Sequence, residues 1–175
     1  MSKTIGKLAR VGIGKETTKG TAVVPTFWLP LTEKNPGIMA EYVQNESDYG
    51  RIEATAGSEV VYSKGEPSFS GYIFDKSIGL IFLSALGTVN TTADSPEAGV
   101  NTHSFTLQND NEHDTLSIAF KEANQDIVFP YSKLSNLSLT VEKKAIASYE
   151  ASFVSQAKEQ HTKLYMKLVQ RKQWK

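Results

Sequence analysis

The chain has 175 residues, of which 39% are hydrophobic, 22% charged and 10% aromatic, and its formal net charge is zero. That describes one domain, or one domain with arms, too apolar for a disordered chain and too polar for a helical membrane protein. Cysteine is absent, which excludes disulfides and thiolate metal sites, and the three histidines (His103, His113, His161) share no ligand spacing. No run is long enough for a spanning helix and the N-terminus lacks a signal-peptide core, so a soluble, intracellular protein with no membrane partner is expected.

The zero charge is a sum of unlike blocks. Residues 1–20 carry +4, residues 21–156 carry −9, and residues 157–175 carry +5. An acidic body with basic ends suits solvated termini, and equally suits ends that dock on acidic bodies of neighbouring copies, where charge steers register. The basic tail includes Lys163, Lys167, Arg171 and Lys172.

In chain order, residues 1–30 read as an arm, punctuated by glycines and by Pro25 and Pro30, which bracket the apolar cluster Phe27-Trp28-Leu29. Residues 41–57 read as an acidic, turn-prone loop centred on Asp48-Tyr49-Gly50-Arg51. Alternating runs at 58–63 and 68–73 around Lys64-Gly65-Glu66-Pro67 predict a hairpin. Ile78, Ile81, Phe82, Ala85 and Leu86 share one face of a helix over 75–86, with Asp75 as N-cap and Gly87 as its terminator. Residues 88–101 read as a loop. Further strands are predicted at 103–107, 115–120, 127–129, 137–141 and 147–153, with half-buried alternation that implies antiparallel pairing. Residues 157–175 read as a basic arm or short amphipathic helix. The domain proper is then 31–156, and the fold class is mainly β. An antiparallel sandwich or rolled, barrel-like sheet is expected, with one flanking helix and extended terminal arms.

Catalytic chemistry is not signalled. Gly12-Ile13-Gly14-Lys15-Glu16 lacks the first glycine of a phosphate loop and places Glu16 where a magnesium-binding hydroxyl is required. His103 and His113 have no nucleophile motif beside them. Glu46, Asp48, Glu53 and Glu59 lack the glycine and ligand periodicity of a calcium loop. The expectation is a non-enzyme without cofactor or metal. A monomeric β-sandwich module for a carbohydrate or peptide is the alternative, and an exposed aromatic platform on one sheet face would mark it.

The run from Val11 through Gly12, Glu16, Gly20-Thr21, Pro25-Thr26 to Phe27-Trp28-Leu29-Pro30 resembles the opening of tail tube proteins from long-tailed bacteriophages. Asp48-Tyr49-Gly50-Arg51, the strand from Pro67 to Phe74 leading into Ala85-Leu86-Gly87, and Thr102-His103-Ser104-Phe105-Thr106 extend the resemblance across most of the chain. It implies a virion protein, made in the host cytoplasm, that self-assembles into stacked and commonly hexameric rings. These form a conduit through which DNA passes as non-specific cargo. Other tail proteins, such as tape measure, terminator and baseplate components, would be partners. Gly12, Glu16, Gly20, Thr21, Pro25, Phe27, Trp28 and Leu29 would belong to an assembly arm, and Asp48, Tyr49, Gly50 and Arg51 to an inter-ring loop. Relatives continue in β-structure where this chain turns basic, so a compact or truncated member, or a tube-end adaptor, is expected.

Overall fold

The computed structural model describes residues 9–44, 57–74, 78–93, 99–110, 112–122, 125–157 and 159–161. The elements in chain order are β1 (Arg10–Lys15), β2 (Phe27–Leu29), β3 (Leu31–Gln44), β4 (Ser58–Tyr72) and α1 (Gly79–Leu86). There follow β5 (Gly87–Ala93), β6 (Asn101–Leu107), β7 (Leu116–Lys121), β8 (Asp126–Thr140), β9 (Ser148–Val154) and β10 (Glu159–His161). All ladders are antiparallel. The main sheet runs β2-β1-β7-β8-β9-β4-β3, with β10 also on β8, while β5 and β6 form a separate hairpin.

The two end strands of that path, β2 and β3, are consecutive in the chain and joined only by Pro30. The sheet is therefore rolled, and its seam is covalent rather than hydrogen-bonded, so the barrel does not close. β8 belongs to both halves of the roll. Its first part pairs with β7 and its second with β9. Between them Pro130 is followed by Tyr131, which adopts a positive φ of 54°. Residues from both halves meet inside: Val11, Ile13, Ile118, Phe120 and Phe129 from one, Phe69, Tyr149, Ala151 and Phe153 from the other. Phe69 stacks on Phe153 at 5.3 Å, and Phe120 meets Phe129 edge-on at 5.7 Å. β9 shows the expected alternation of a half-buried strand, whereas β7 is buried on both faces, Ser117 and Ala119 included, because Ala22 and Trp28 cover its outer side.

Three expectations are corrected. The 58–63 and 68–73 runs are not two arms of a hairpin but one strand, β4, whose partner is the unforeseen β3. The 127–129 and 137–141 runs are not separate strands but parts of one, β8, which carries on past Pro130 through the bend at Tyr131 into the second half-sheet. The 88–101 loop contains β5 and the start of β6. The helix lies where its periodicity put it, beginning at Gly79 with Ile78 as N-cap and ending at Gly87, φ 95°. Asp75 lies outside the described residues.

Tyr149 is 2% exposed, and its hydroxyl finds no hydrogen-bond partner among the described residues. Burial pushes this phenol up from 10 to about 12. As pH rises past 10 the unfolded chain loses this proton first, so stability falls from there towards about 12 and then levels off. The full loss is about 2–3 kcal/mol, of which about half is reached by about pH 11. Tyr149→Phe should abolish that alkaline loss and add up to about 1 kcal/mol at neutral pH, since it deletes an unpaired buried hydroxyl. Urea midpoints of both proteins at about pH 8 and about pH 11 check this; equal alkaline losses would contradict it.

Candidate assembly surfaces

The first expected assembly segment turns out to be built into the roll. β1 lies between β2 and β7, with Val11 and Ile13 at 1% and 0% exposure on its core face. Its opposite face carries Gly12, where a Cβ would come within 2.6 Å of the Pro25 Cβ; only glycine lets residues 23–26 fold back over the strand. Glu16 is a buried carboxyl, 5% exposed. Its oxygens accept from the Gly20 and Tyr131 backbone N–H groups at 2.8 Å each, from the Thr115 hydroxyl at 2.6 Å and from the Ser117 hydroxyl at 2.8 Å. Two donors on each oxygen fill the acceptor capacity of the group. The cluster ties the end of β1 to β7 and to the bend in β8.

Gly12, Glu16 and Pro25 are thus internal, Leu29 is buried, and Gly20 and Trp28 are half-buried. Of the expected arm residues, Thr21 and Phe27 are exposed, Phe27 by 43%. Two of the N-terminal cations, though exposed, also have partners within the chain: Lys15 pairs with Asp114 at 2.6 Å and Lys19 reaches Glu112 at 3.9 Å. Asp48, Tyr49, Gly50, Arg51, Lys163, Lys167, Arg171 and Lys172 lie outside the described residues.

What sequence reasoning missed is a projecting ribbon. β3 and β4 pair continuously from Leu31↔Gly71 to Gln44↔Ser58. β9 accompanies β4 only as far as Ser68, with one further bridge at Gly65↔Ser155. Beyond Gly65, β4 has β3 as its only ladder partner among the described residues. A Cβ at Gly65 would collide with Ser155 and the Phe129 ring, so the point where the ribbon leaves the roll is packed tightly. The ribbon is apolar and exposed: Tyr42 64%, Val43 56%, Val60 54%, Val61 60% and Tyr62 51%. A register shift between Glu41 and Tyr42 brings Val60 opposite Tyr42 and leaves Val61 as the extra residue. One ribbon face therefore carries Ile38, Ala40, Tyr42 and Val60 with no charge, and the other carries Met39, Glu41 and Val43 with Glu59, Tyr62 and Lys64. Two strands with water on both sides are marginal in isolation, and exposed apolar area of this kind marks a contact surface.

The second half of the roll presents a different surface. Register places Ser138, Thr140, Ser148, Glu150, Ser152, Ser68, Ser70, Glu33 and Asn35 together on its outer face. The two sides of this half-sheet, β3 and residues 133–140 of β8, have no further ladder among the described residues. They are the open edges by which a sheet can be extended.

A third surface lies at α1. The helix packs against β6, β5, β8 and β1. Between it, the β5–β6 hairpin and Phe27 runs an open groove of about 770 Å³ lined by Leu80, Phe82, Val89, Val100 and Phe105.

Neither a protein-family model nor a curated protein matches the sequence. Solved structures do share the fold. A chain of the PVC extracellular contractile injection system, in its sheath/tube terminator in the extended state, superposes with a TM-score of 0.57 at 9% identity, covering 93% of this chain and 99% of that one. A chain of the virion of a native gene transfer agent particle gives 0.53 at 12% identity, covering 91% and 100%. The SPP1 tail tube gives 0.51 at 6% identity, covering 94% and 82%. The fold is that of phage and gene-transfer-agent tail tubes and tube terminators, as the resemblance implied.

Proposed function

We propose that this chain is a structural subunit of a phage-type tail that assembles with copies of itself into stacked, six-membered rings, forming a tube that conducts DNA. The observation that carries the reading is the ribbon. A row of large apolar side chains on a two-stranded projection has no stabilising role in a lone subunit, and repeated contact with other copies supplies what it lacks. Within a ring, the open edge of β3 in one copy meets the 133–140 edge of β8 in the next, so that half-sheets join around a bore. Tape measure, terminator and baseplate proteins meet the tube from inside and at its ends.

In this reading the outer face of the second half-sheet lines the bore. Its hydroxyls and amides are uncharged, and Glu33 and Glu150 give it a negative sign that repels phosphate and lets duplex DNA slide. Replacing both, Glu33→Lys with Glu150→Lys, should turn the assembled tube into one that retains duplex DNA at low salt. Binding should fall steeply as salt rises, whereas the unaltered tube should bind none. Filter binding across a salt series checks this, and equal DNA retention by both proteins would remove this face from the bore. Assembly itself is tested by sedimentation and electron microscopy of the purified chain.

A further inference from the structure

We propose that the groove between α1 and the β5–β6 hairpin receives the uncharged face of the ribbon from a second copy of this chain; the proposal rests on the self-assembly reading above. The groove is lined on its apolar side by Phe27, Leu80, Phe82, Val89, Val100 and Phe105, and among the described residues no Asp, Glu, Lys or Arg side chain lines it. The ribbon face bearing Ile38, Ala40, Tyr42 and Val60, with Val61 at the bulge, is equally free of charge. In a chain in which 22% of residues are charged, two exposed surfaces whose described residues carry no charge are matched in the property that matters for burial, because those residues desolvate no ion on docking.

The two surfaces also differ in shape as a donor and a receptor must. One is a narrow projecting strand pair, and the other is a concave channel with three aromatic rings, Phe27, Phe82 and Phe105, at which a tyrosine makes an anchoring contact. The groove is firm enough to act as a template. Phe82 and Phe105 already pack on one another at 5.7 Å, and the Leu86 carbonyl accepts from the Gln108 backbone N–H at 2.7 Å, fixing the hairpin to the end of the helix. A contact between two different patches of the same chain is heterologous. It leaves a free ribbon at one end of each pair and a free groove at the other, and it therefore propagates.

The chain has no cysteine, so engineered thiols report without background. Val61→Cys and Val100→Cys are both at exposed positions, 60% and 45%. Treated with a short bis-maleimide, the doubly substituted chain should give a ladder of covalent dimers, trimers and longer species. A mixture of the two singly substituted chains should stop at dimers, and neither single variant alone should cross-link. Val100→Glu, which leaves the ribbon untouched, should raise the concentration needed for assembly by about tenfold or more, as loss of a hot-spot contact does. Tubes that form without these cross-links and tolerate Val100→Glu would overturn the groove assignment while leaving self-assembly intact. The same result with an apolar dye bound in the groove would make it a small-molecule site. A chain that stays monomeric would overturn both readings.

Discussion

Glu16→Ala is expected to cost the fold about 4 kcal/mol, a large part of the 5–15 kcal/mol that stabilises a domain of this kind. The substitution leaves a buried hole facing two backbone N–H groups and two hydroxyls that lose their acceptor together. Hydroxyls can rotate to other partners; the Gly20 and Tyr131 amides cannot. Tyr131 is the more damaging loss, because its positive φ is held at the bend on which the two halves of the roll turn. Glu16→Gln keeps one oxygen but aims two new N–H groups at existing donors, and about 2 kcal/mol is expected for it. Urea denaturation followed by tryptophan fluorescence gives both values. A midpoint unchanged in Glu16→Ala would show that the buried cluster is incidental.

The ribbon prediction has the opposite signature. Replacing residues 40–63 by an Asn-Gly turn closes the hairpin at the Met39↔Lys64 pair and removes every residue beyond it. The Phe69, Tyr149 and Phe153 cluster and the Lys64–Glu66 ion pair are untouched. The shortened chain should fold, with a melting temperature within about 4 °C of the full chain, the shift that about 1 kcal/mol produces at this size. Assembly should be lost altogether. Circular dichroism and sedimentation, run on the same sample, separate the two effects. Unfolding of the shortened chain would make the ribbon part of the folding core, and persistent tubes would relieve it of any role in assembly.

These two features explain what the sequence could reveal. Helix α1 and strands β7 and β9 were legible because their sequence periodicity is local: a stripe at helical spacing in α1, and large apolar residues alternating with small or polar ones in the strands, although only β9 keeps a wet face and β7 is buried on both sides. The ribbon was only half legible: 58–63 read as strand from its alternation, but its partner strand β3 did not, because with both ribbon faces exposed the sequence carries no core-facing pattern to mark it. The end of β3, residues 41–44, therefore read as part of a loop, and the stretch around Lys64-Gly65-Glu66-Pro67 as a turn. Pro130 misled for a related reason: proline argues against a central strand, yet here it sits at the bend where β8 passes from one half-sheet to the other.

Glu16 was singled out for a role at the surface, and the structure places it inside. Its hydroxyl partners, Thr115 and Ser117, lie 99 and 101 residues away in the chain. A carboxyl next to Lys15 and Lys19 looks solvated until that distant pairing is known. The same holds for Gly12, whose need for glycine arises from Pro25 folding back across β1. The overall fold class survived these errors because it depends on the number and alternation of strands, whereas the site residues depend on which strands become neighbours.

Self-association is the central claim, and the most direct test is electron microscopy of the purified chain together with sedimentation velocity over a rising concentration series. The account predicts rings or tubes with a central bore, and a sedimentation boundary that shifts to large species as concentration increases. A single monomeric boundary at the highest concentration reached, with no rings or tubes in the micrographs, would contradict it.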